Sequence, residues 1–539
     1  MRARGRARDV TVASNRSVVV IGGGIAGLAT AGLLARDGHS VTLLEKNATV
    51  GGRTNTWEKD GFRFDVGPSW YLMPEVFDHF FRLMGTSAAE QLELVKLDPG
   101  YRVIFEEYRE PVDIVGDRER NRRTFERIEP GSGRNFDRYV ESARDTYAVA
   151  VEKFLYTNFE TFSSFRTPAV LRRAGKLVRL LLQPLNSFAS RYFSDPRLLR
   201  ILGYPAVFLG SSPFQAPAMY HLMSHLDLTD GVYYPQGGFY RLIEAMARLA
   251  EDAGVTIVTG AEVTEVTTTT GGWLESSGRS GPVVTLATGV AYADAAGSAQ
   301  TLDAEVVVSA ADLHHTETAL LPPELQTRPE KSWEKAVPGP GTVLVFLGVE
   351  GELPQLQHHT LFFAERWQDN FEAIYGPDAG VAERTSLYVC QPSVTDPAVA
   401  PAGSSNLFVL VPVPSDPGLG GEGDARVDEI AHNAIDQIAE WAGIPDLRER
   451  IVVQRAIGPR DFERDYHSWR GTALGLAHTT GQSAFFRGKN ESARVGNLYY
   501  AGATTVPGIG LPMCLISAEL VLKRLRGDRT DGPVAEPKA

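Results

Sequence analysis

The first sharply patterned stretch begins at Ser17: "SVVVIGGGIAGLATAGLLARDGHSVTLLEKN". An unbroken apolar run over 18–21, flanked by glycine, predicts a strand buried on both faces. The small and apolar residues of 26–36 predict a helix, and a second apolar run predicts a strand ending at Glu45. This pattern stops after roughly residue 90 and returns in "AGVTIVTGAEVTEV", where a strand reaches Val263. The polar, threonine- and glycine-rich run 267–282 reads as a hairpin loop. "EVVVSAAD" at 305–312 reads as another buried strand ending in small residues. Between 341 and 413, "GTVLVFLGV" and "NLFVLVPV" predict strands of a second sheet, whereas 130–225 is rich in helical pattern. No internal repeat interrupts this order. The expected organisation is a discontinuous nucleotide-binding part (17–90, 226–330 and 451–526), a helix-rich part (91–225) and a sheet (331–450), with 1–16 and 527–539 as flexible tails.

Composition narrows the class. The 539 residues are 43% hydrophobic and 22% charged, with a net charge of −12, as in an ordinary globular protein. The acidic balance argues against nucleic acid as a partner. Two distant cysteines, Cys390 and Cys514, give no disulfide framework and point to a reducing, cytoplasmic setting. No apolar run approaches the ~18 residues of a membrane span. The basic start "MRARGRARDVTVASNRS" has no apolar signal core and is expected to be cytoplasmic.

One segment breaks the acidic trend. Between Glu160 and Asp195 lie Arg166, Arg172, Arg173, Lys176, Arg179 and Arg191, and no acid. Pro168 and Pro184 frame a helix with Arg172, Lys176 and Arg179 on one side. Ala174, Val178, Leu181, Leu182 and Leu185 fall opposite. That is the pattern of a helix lying in a membrane surface, and 165–193 is the expected lipid contact and substrate entrance.

Gly22, Gly24 and Gly27 fill G-x-G-x-x-G directly after the first strand. The first makes the tight turn, the second admits a pyrophosphate to the backbone, and the third lets helix pack on strand. Glu45, at the end of the second strand, is placed to accept ribose hydroxyls. The following Gly51, Gly52 and Arg53 resemble the motif that extends this fingerprint in FAD enzymes of the glutathione-reductase-like superfamily. The resemblance implies an α/β, Rossmann-like FAD-binding domain with a mixed-sheet substrate domain and a helical membrane-facing part. It also implies that Val263 meets the adenine and that Arg53 supplies a charged contact near the pyrophosphate.

Near the end, "YYAGATTVPGIGLPM" carries no charge. Many flavin oxidoreductases of this superfamily have Gly followed by a carboxylate here; this chain has Gly502 followed by Ala503. A helix starting about Pro512 and Met513 would aim its N-terminus at the flavin. The uncharged ribbon suits a hydrocarbon substrate. Together with "FDVGPSWYLMPEVFDHFF", "GVYYPQGGFYRLIEAMARLAEDAGV", "GPRDFERDYHSWRGTALGL" and "QSAFFRGKN", these blocks look like the bacterial-type phytoene desaturases and their relatives acting on shorter precursors. The resemblance implies FAD-dependent desaturation of phytoene or a related carotene to a conjugated polyene such as lycopene. It further implies substrate drawn from the membrane, oxygen or quinone as electron acceptor, and a place on the inner face of the cell membrane. An FAD-dependent amine oxidase, or a carotenoid isomerase or saturase, are the alternative readings.

Weaker constellations remain. His221 and His225 stand at helical spacing without a third ligand, so no metal is expected there or elsewhere. His314 and His315 read as a solvated loop near the cofactor. Tyr233, Tyr234 and the Gly237–Gly238 turn look like a wall of the site. Asp461, with Arg460 beside it, suits a structural role as readily as a catalytic one, and no residue is singled out as catalytic.

Overall fold

The computed structural model describes residues 15–159, 168–272 and 284–537. Strand Ser17–Ile21 is the centre of a five-stranded parallel sheet, bordered by Val306–Ser309 and Ser40–Glu45, with Leu498–Tyr500 and Thr256–Thr259 at the edges. Valines and leucines fill these strands because both faces are covered. Helix Ile25–Arg36, buried from Ile25 to Leu34, packs between helices Tyr240–Asp252 and Leu511–Arg526. Three chain segments far apart in sequence therefore build one nucleotide-binding layer.

A second sheet has seven strands in the order Ile451–Ile457, Gly341–Glu350, Ser404–Val413, Leu387–Cys390, His359–Phe363, Tyr101–Phe105 and Tyr108–Ile114. It is antiparallel except where His359–Phe363 runs beside Tyr101–Phe105. Two expected boundaries change here. Residues 451–457 do not belong with the nucleotide layer, because they pair in register with the long buried strand Gly341–Glu350. The segment read as helix-rich also gives a hairpin, 101–114, to this sheet. Pro111 sits in its outermost strand, where a missing N–H is tolerated.

Two more expectations are corrected. The threonine run does not turn at 267: strand Glu262–Gly272 continues through it, paired with Val284–Ala293, since β-branched residues suit an extended, half-covered ribbon. Residues 273–283 lie outside the described residues. Nor is the chain beyond Arg526 a loose tail as far as residue 537. Lys523 Nζ donates to the carbonyls of Thr530 and Gly532 at 2.7 Å, Val534 N–H donates to Glu519, and Glu536 meets His79 at 2.9 Å. Residues 1–14, 538 and 539 lie outside the described residues.

Candidate functional site: a two-armed cavity

The glycine loop is shaped by contacts that only glycine permits. Gly22 holds φ at +96°, and a Cβ on Gly27 would stand 1.9 Å from the Gly22 carbonyl oxygen. A Cβ on Gly24 would meet nothing within 4 Å, so this turn faces open space. Gly24 caps the helix with no side-chain bond and no acid in the first turn, leaving donors and the positive dipole end unanswered. Glu45, buried, braces the loop: Oε2 accepts from Gly23 N–H at 2.7 Å, and Oε1 accepts from the Asn47 backbone and amide, each at 2.8 Å. Gly51 N–H donates to Gly23, which brings Gly52 against Gly24. Arg53 Nη2 donates to Ser468 at 2.7 Å, while its Nε is buried without a partner.

From the other side, the parallel strand Leu498–Tyr500 delivers the uncharged ribbon. Gly502 (φ +125°) donates its N–H to Ser517, and Gly510 caps helix Leu511–Arg526, whose first turn holds Pro512 and Met513. Gly22, Gly24, Glu45, Gly52, Arg53, Val263, Gly502, Pro512 and Met513 all line one cavity of about 600 Å³. Gly27 lies behind it as a packing residue.

The cavity has two chemically distinct arms. Every lining Asp, Glu, Lys and Arg among the described residues belongs to the nucleotide arm: Glu45, Lys46, Arg53, Glu262, Asp312 and Asp465. The second arm runs between the seven-stranded sheet and the helices and is walled by Trp70, Tyr204, Phe208, Leu344, Leu361, Trp367 and Leu410, with no ionic side chain among the described residues. Tyr147, Ala150, Phe154 and Phe159 also line it, immediately before the undescribed residues 160–167. Unpaired charge is costly in such surroundings, so this arm suits an apolar ligand.

Several buried polar groups that the motifs did not flag stand at or behind the wall, and of these His478 lines the cavity. Arg487 is buried and donates to the carbonyls of Ala503, Leu476 and Gln482. Burial lowers its pKa to about 10. All of its bonds go to neutral oxygens. His478, also buried, accepts from Ile509 N–H through Nε2, so Nδ1 carries the proton and donates to Tyr220. Asp227 receives the hydroxyls of Tyr101 (3.0 Å) and Tyr204 (3.3 Å), and burial raises its pKa to about 7. No spacing rule marks these residues, because their partners come from parts of the chain distant in sequence.

The remaining candidates fall into place. Tyr233 and Tyr234 do not wall the site. They form a short strand with Leu94–Lys96, and Tyr234 reaches Asp396. His314 and His315 sit on a helix, Leu313–Ala319, rather than in a loop, because Asp312 caps it. His315 lines the cavity, stacked 3.9 Å from His467. His221 and His225 do not form a pair: His221 bonds Ser142 and Ala218, and His225 faces Asp230. Asp461 accepts from Gly458 and Glu422 backbone N–H groups and is structural.

A flavin dinucleotide fits this geometry. The flavin containing amine oxidoreductase family matches residues 25–521, and the chain belongs to that family. It is an FAD-dependent oxidoreductase. Among curated proteins it is 40% identical to the carotenoid 3,4-desaturase of Haloarcula japonica, covering 96% of this chain and 99% of that one. It is 34% identical to the zeta-carotene-forming phytoene desaturase of Myxococcus xanthus, covering 95% and 94%. Solved structures share the fold at low identity. An engineered putrescine oxidase superposes with a TM-score of 0.58 at 16% identity, over 95% of this chain and 98% of that one. Cyclohexylamine oxidase of Brevibacterium oxydans gives 0.57 at 13%, over 95% and 99%.

Proposed function

We propose that the protein desaturates a long acyclic carotenoid precursor, removing two hydrogens per step to extend a conjugated polyene. The observation that carries this reading is the second arm, which is aromatic-walled and, among the described residues, free of ionic side chains. The amine oxidases share the fold, but an amine needs recognition of a basic nitrogen, and the described residues of this arm offer no carboxylate for it.

When bound, FAD supplies the hydride acceptor. The chain supplies alignment and exclusion of water: the allylic cation that develops is partly self-stabilised, so positioning outweighs acid–base power. The uncapped start of helix Leu511–Arg526 and the buried Arg487 both favour negative charge beside Gly502 and Ala503.

A hydrocarbon of this size leaves a bilayer for water at a cost on the order of 30 kcal/mol, so the entrance opens to the membrane. Helix Pro168–Leu182 supports docking in an altered form. Val178 and Leu182 are 54% and 72% exposed. Lys176 and Arg173, however, both bond Asp145, at 2.9 and 2.7 Å, and do not form a free cationic face. Leu185 and Phe193 are core residues, and Phe165 lies outside the described residues. Contact is therefore mainly apolar, on the inner face of the cell membrane, with oxygen or a quinone taking the electrons.

The test is anaerobic mixing of FAD-loaded protein with liposomes carrying phytoene or, separately, an already conjugated acyclic carotenoid. Flavin bleaching together with a red-shifted polyene band supports the reading, and the substrate that bleaches fastest identifies the step. Flavin that stays oxidised with both refutes it.

A further inference from the structure

Behind the wall of the apolar arm, where strands His359–Phe363 and Leu387–Cys390 pair, His358, His359 and Cys390 converge. His359 stands opposite Cys390 in the antiparallel register, so the two side chains share a face. His358 enters from the residue before the strand. One ring nitrogen of each histidine and Cys390 Sγ all lie within 4.8 Å of one another, and the three residues are at most 2% exposed.

The hydrogen bonds around this cluster are incomplete in a specific way. His358 Nδ1 meets the Thr395 hydroxyl at 2.8 Å and His359 Nδ1 meets the Tyr388 hydroxyl at 2.7 Å. The Nε2 atom of each ring is sealed from solvent and has no partner. Desolvation holds both rings neutral. A buried polar nitrogen left unmet costs ~1–3 kcal/mol, and the Cys390 thiol, which also meets the Tyr388 side chain, satisfies at most one of the two. A hydroxyl fixing the far nitrogen of each imidazole is the arrangement that orients histidine ligands around a metal. A neutral imidazole pair with a thiol is a soft donor set.

We propose that His358, His359 and Cys390 bind a thiophilic d¹⁰ cation, Zn²⁺ or Cu⁺, in a structural site behind the cavity wall. On binding, the Cys390 S–H bond breaks, its proton leaves to solvent, and the thiolate and two imidazole lone pairs bond the metal without any change of oxidation state. Cu⁺ would give a neutral three-coordinate centre. Zn²⁺ would require a fourth ligand beyond these three. The site would fix the arm's lining: His359 stacks on Trp70 with ring centroids 4.5 Å apart, and Trp70 and Tyr388 both face the cavity. The expectation of no metal, drawn from spacing alone, could not register a cluster made by strand pairing.

The experiment is elemental analysis of holoenzyme purified without chelators, followed by titration of metal-stripped protein with Co²⁺ as a spectroscopic probe for Zn²⁺ and with Cu⁺ against a chromogenic chelator. About one metal per chain is expected, with thiolate-to-cobalt absorption on titration if the site takes Zn²⁺. Cys390→Ser should weaken binding about tenfold or more and abolish that absorption, while Cys514→Ser, at the other cysteine, should retain both. Retention of zinc or of copper decides between the two ions. Wild-type protein that holds neither metal and gives no thiolate band overturns the proposal, as does binding that survives Cys390→Ser. None of these readouts depends on the desaturase reading.

Discussion

Arg487 is the residue whose surroundings most constrain the chemistry. Its guanidinium is held by three backbone carbonyls, two of its bonds falling on Ala503 beside the cavity. A buried cation satisfied by neutral oxygens favours any state that places negative charge nearby. Arg487→Gln should therefore lower the two-electron midpoint potential of the bound flavin by about 30–60 mV, equivalent to ~1.4–2.8 kcal/mol. Dye-coupled equilibrium reduction reads this directly; an unchanged potential removes Arg487 from the tuning of the site. Asp227 makes a different prediction. Its pKa rises from 3.8 to about 7 through burial, so between these values the folded chain holds a proton that the unfolded chain has released. Stability attributable to Asp227 is complete below about pH 4, falls as pH rises toward 7, and then levels, with a limiting slope of ~1.4 kcal/mol per unit. Asp227→Asn should flatten the denaturant midpoint across this window. The glycine turn and the place of Glu45 at a strand end were legible in sequence because a local turn, helix and strand determine them; that Glu45 braces the loop through Gly23 and Asn47 was not. Arg487, His478 and Asp227 were not, since burial and partners distant in sequence make their roles.

At the scale of elements, helix Pro168–Leu182 shows both sides of this. Its bounds follow from the flanking prolines, and its apolar side is exposed at Val178 and Leu182. What periodicity could not register is Asp145 on helix Gly133–Ala150, which takes up Arg173 and Lys176. Membrane contact through this helix should therefore depend more on apolar insertion than on charge. The double variant Val178→Asp, Leu182→Asp should release the protein from liposomes in flotation, whereas raising the salt should leave wild-type binding largely intact, because screening acts on exposed charge. Release of wild type by salt alone would return the weight to the basic residues. The strand runs within 341–413 were equally plain, since long β-branched and aromatic stretches dictate them. Their partners 101–114 and 451–457 were assigned elsewhere because strand pairing across such separations leaves no local trace.

The whole molecule joins a charged, glycine-lined nucleotide arm to an uncharged arm inside one cavity, and the sharpness of that division can be tested by violating it. Leu410 lies on the interior strand Ser404–Val413, lines the apolar arm and is only partly buried, because its side chain faces the cavity. In Leu410→Glu, ionisation in apolar surroundings is opposed by desolvation, which pushes a carboxyl upward from its usual range. At neutral pH some charge persists and should exclude a hydrocarbon, so polyene formation should fall at least ~10-fold while FAD remains bound. As pH drops and the carboxyl protonates, the charge disappears and polyene formation should partly recover. Leu410→Gln has the same size but no titration, so its loss should be smaller and independent of pH over that range. Recovery confined to the glutamate variant would mean that the arm excludes charge itself. Parallel behaviour of the two variants would mean that the substitution damages packing, and an uncharged arm would then lose its standing as the basis of substrate choice.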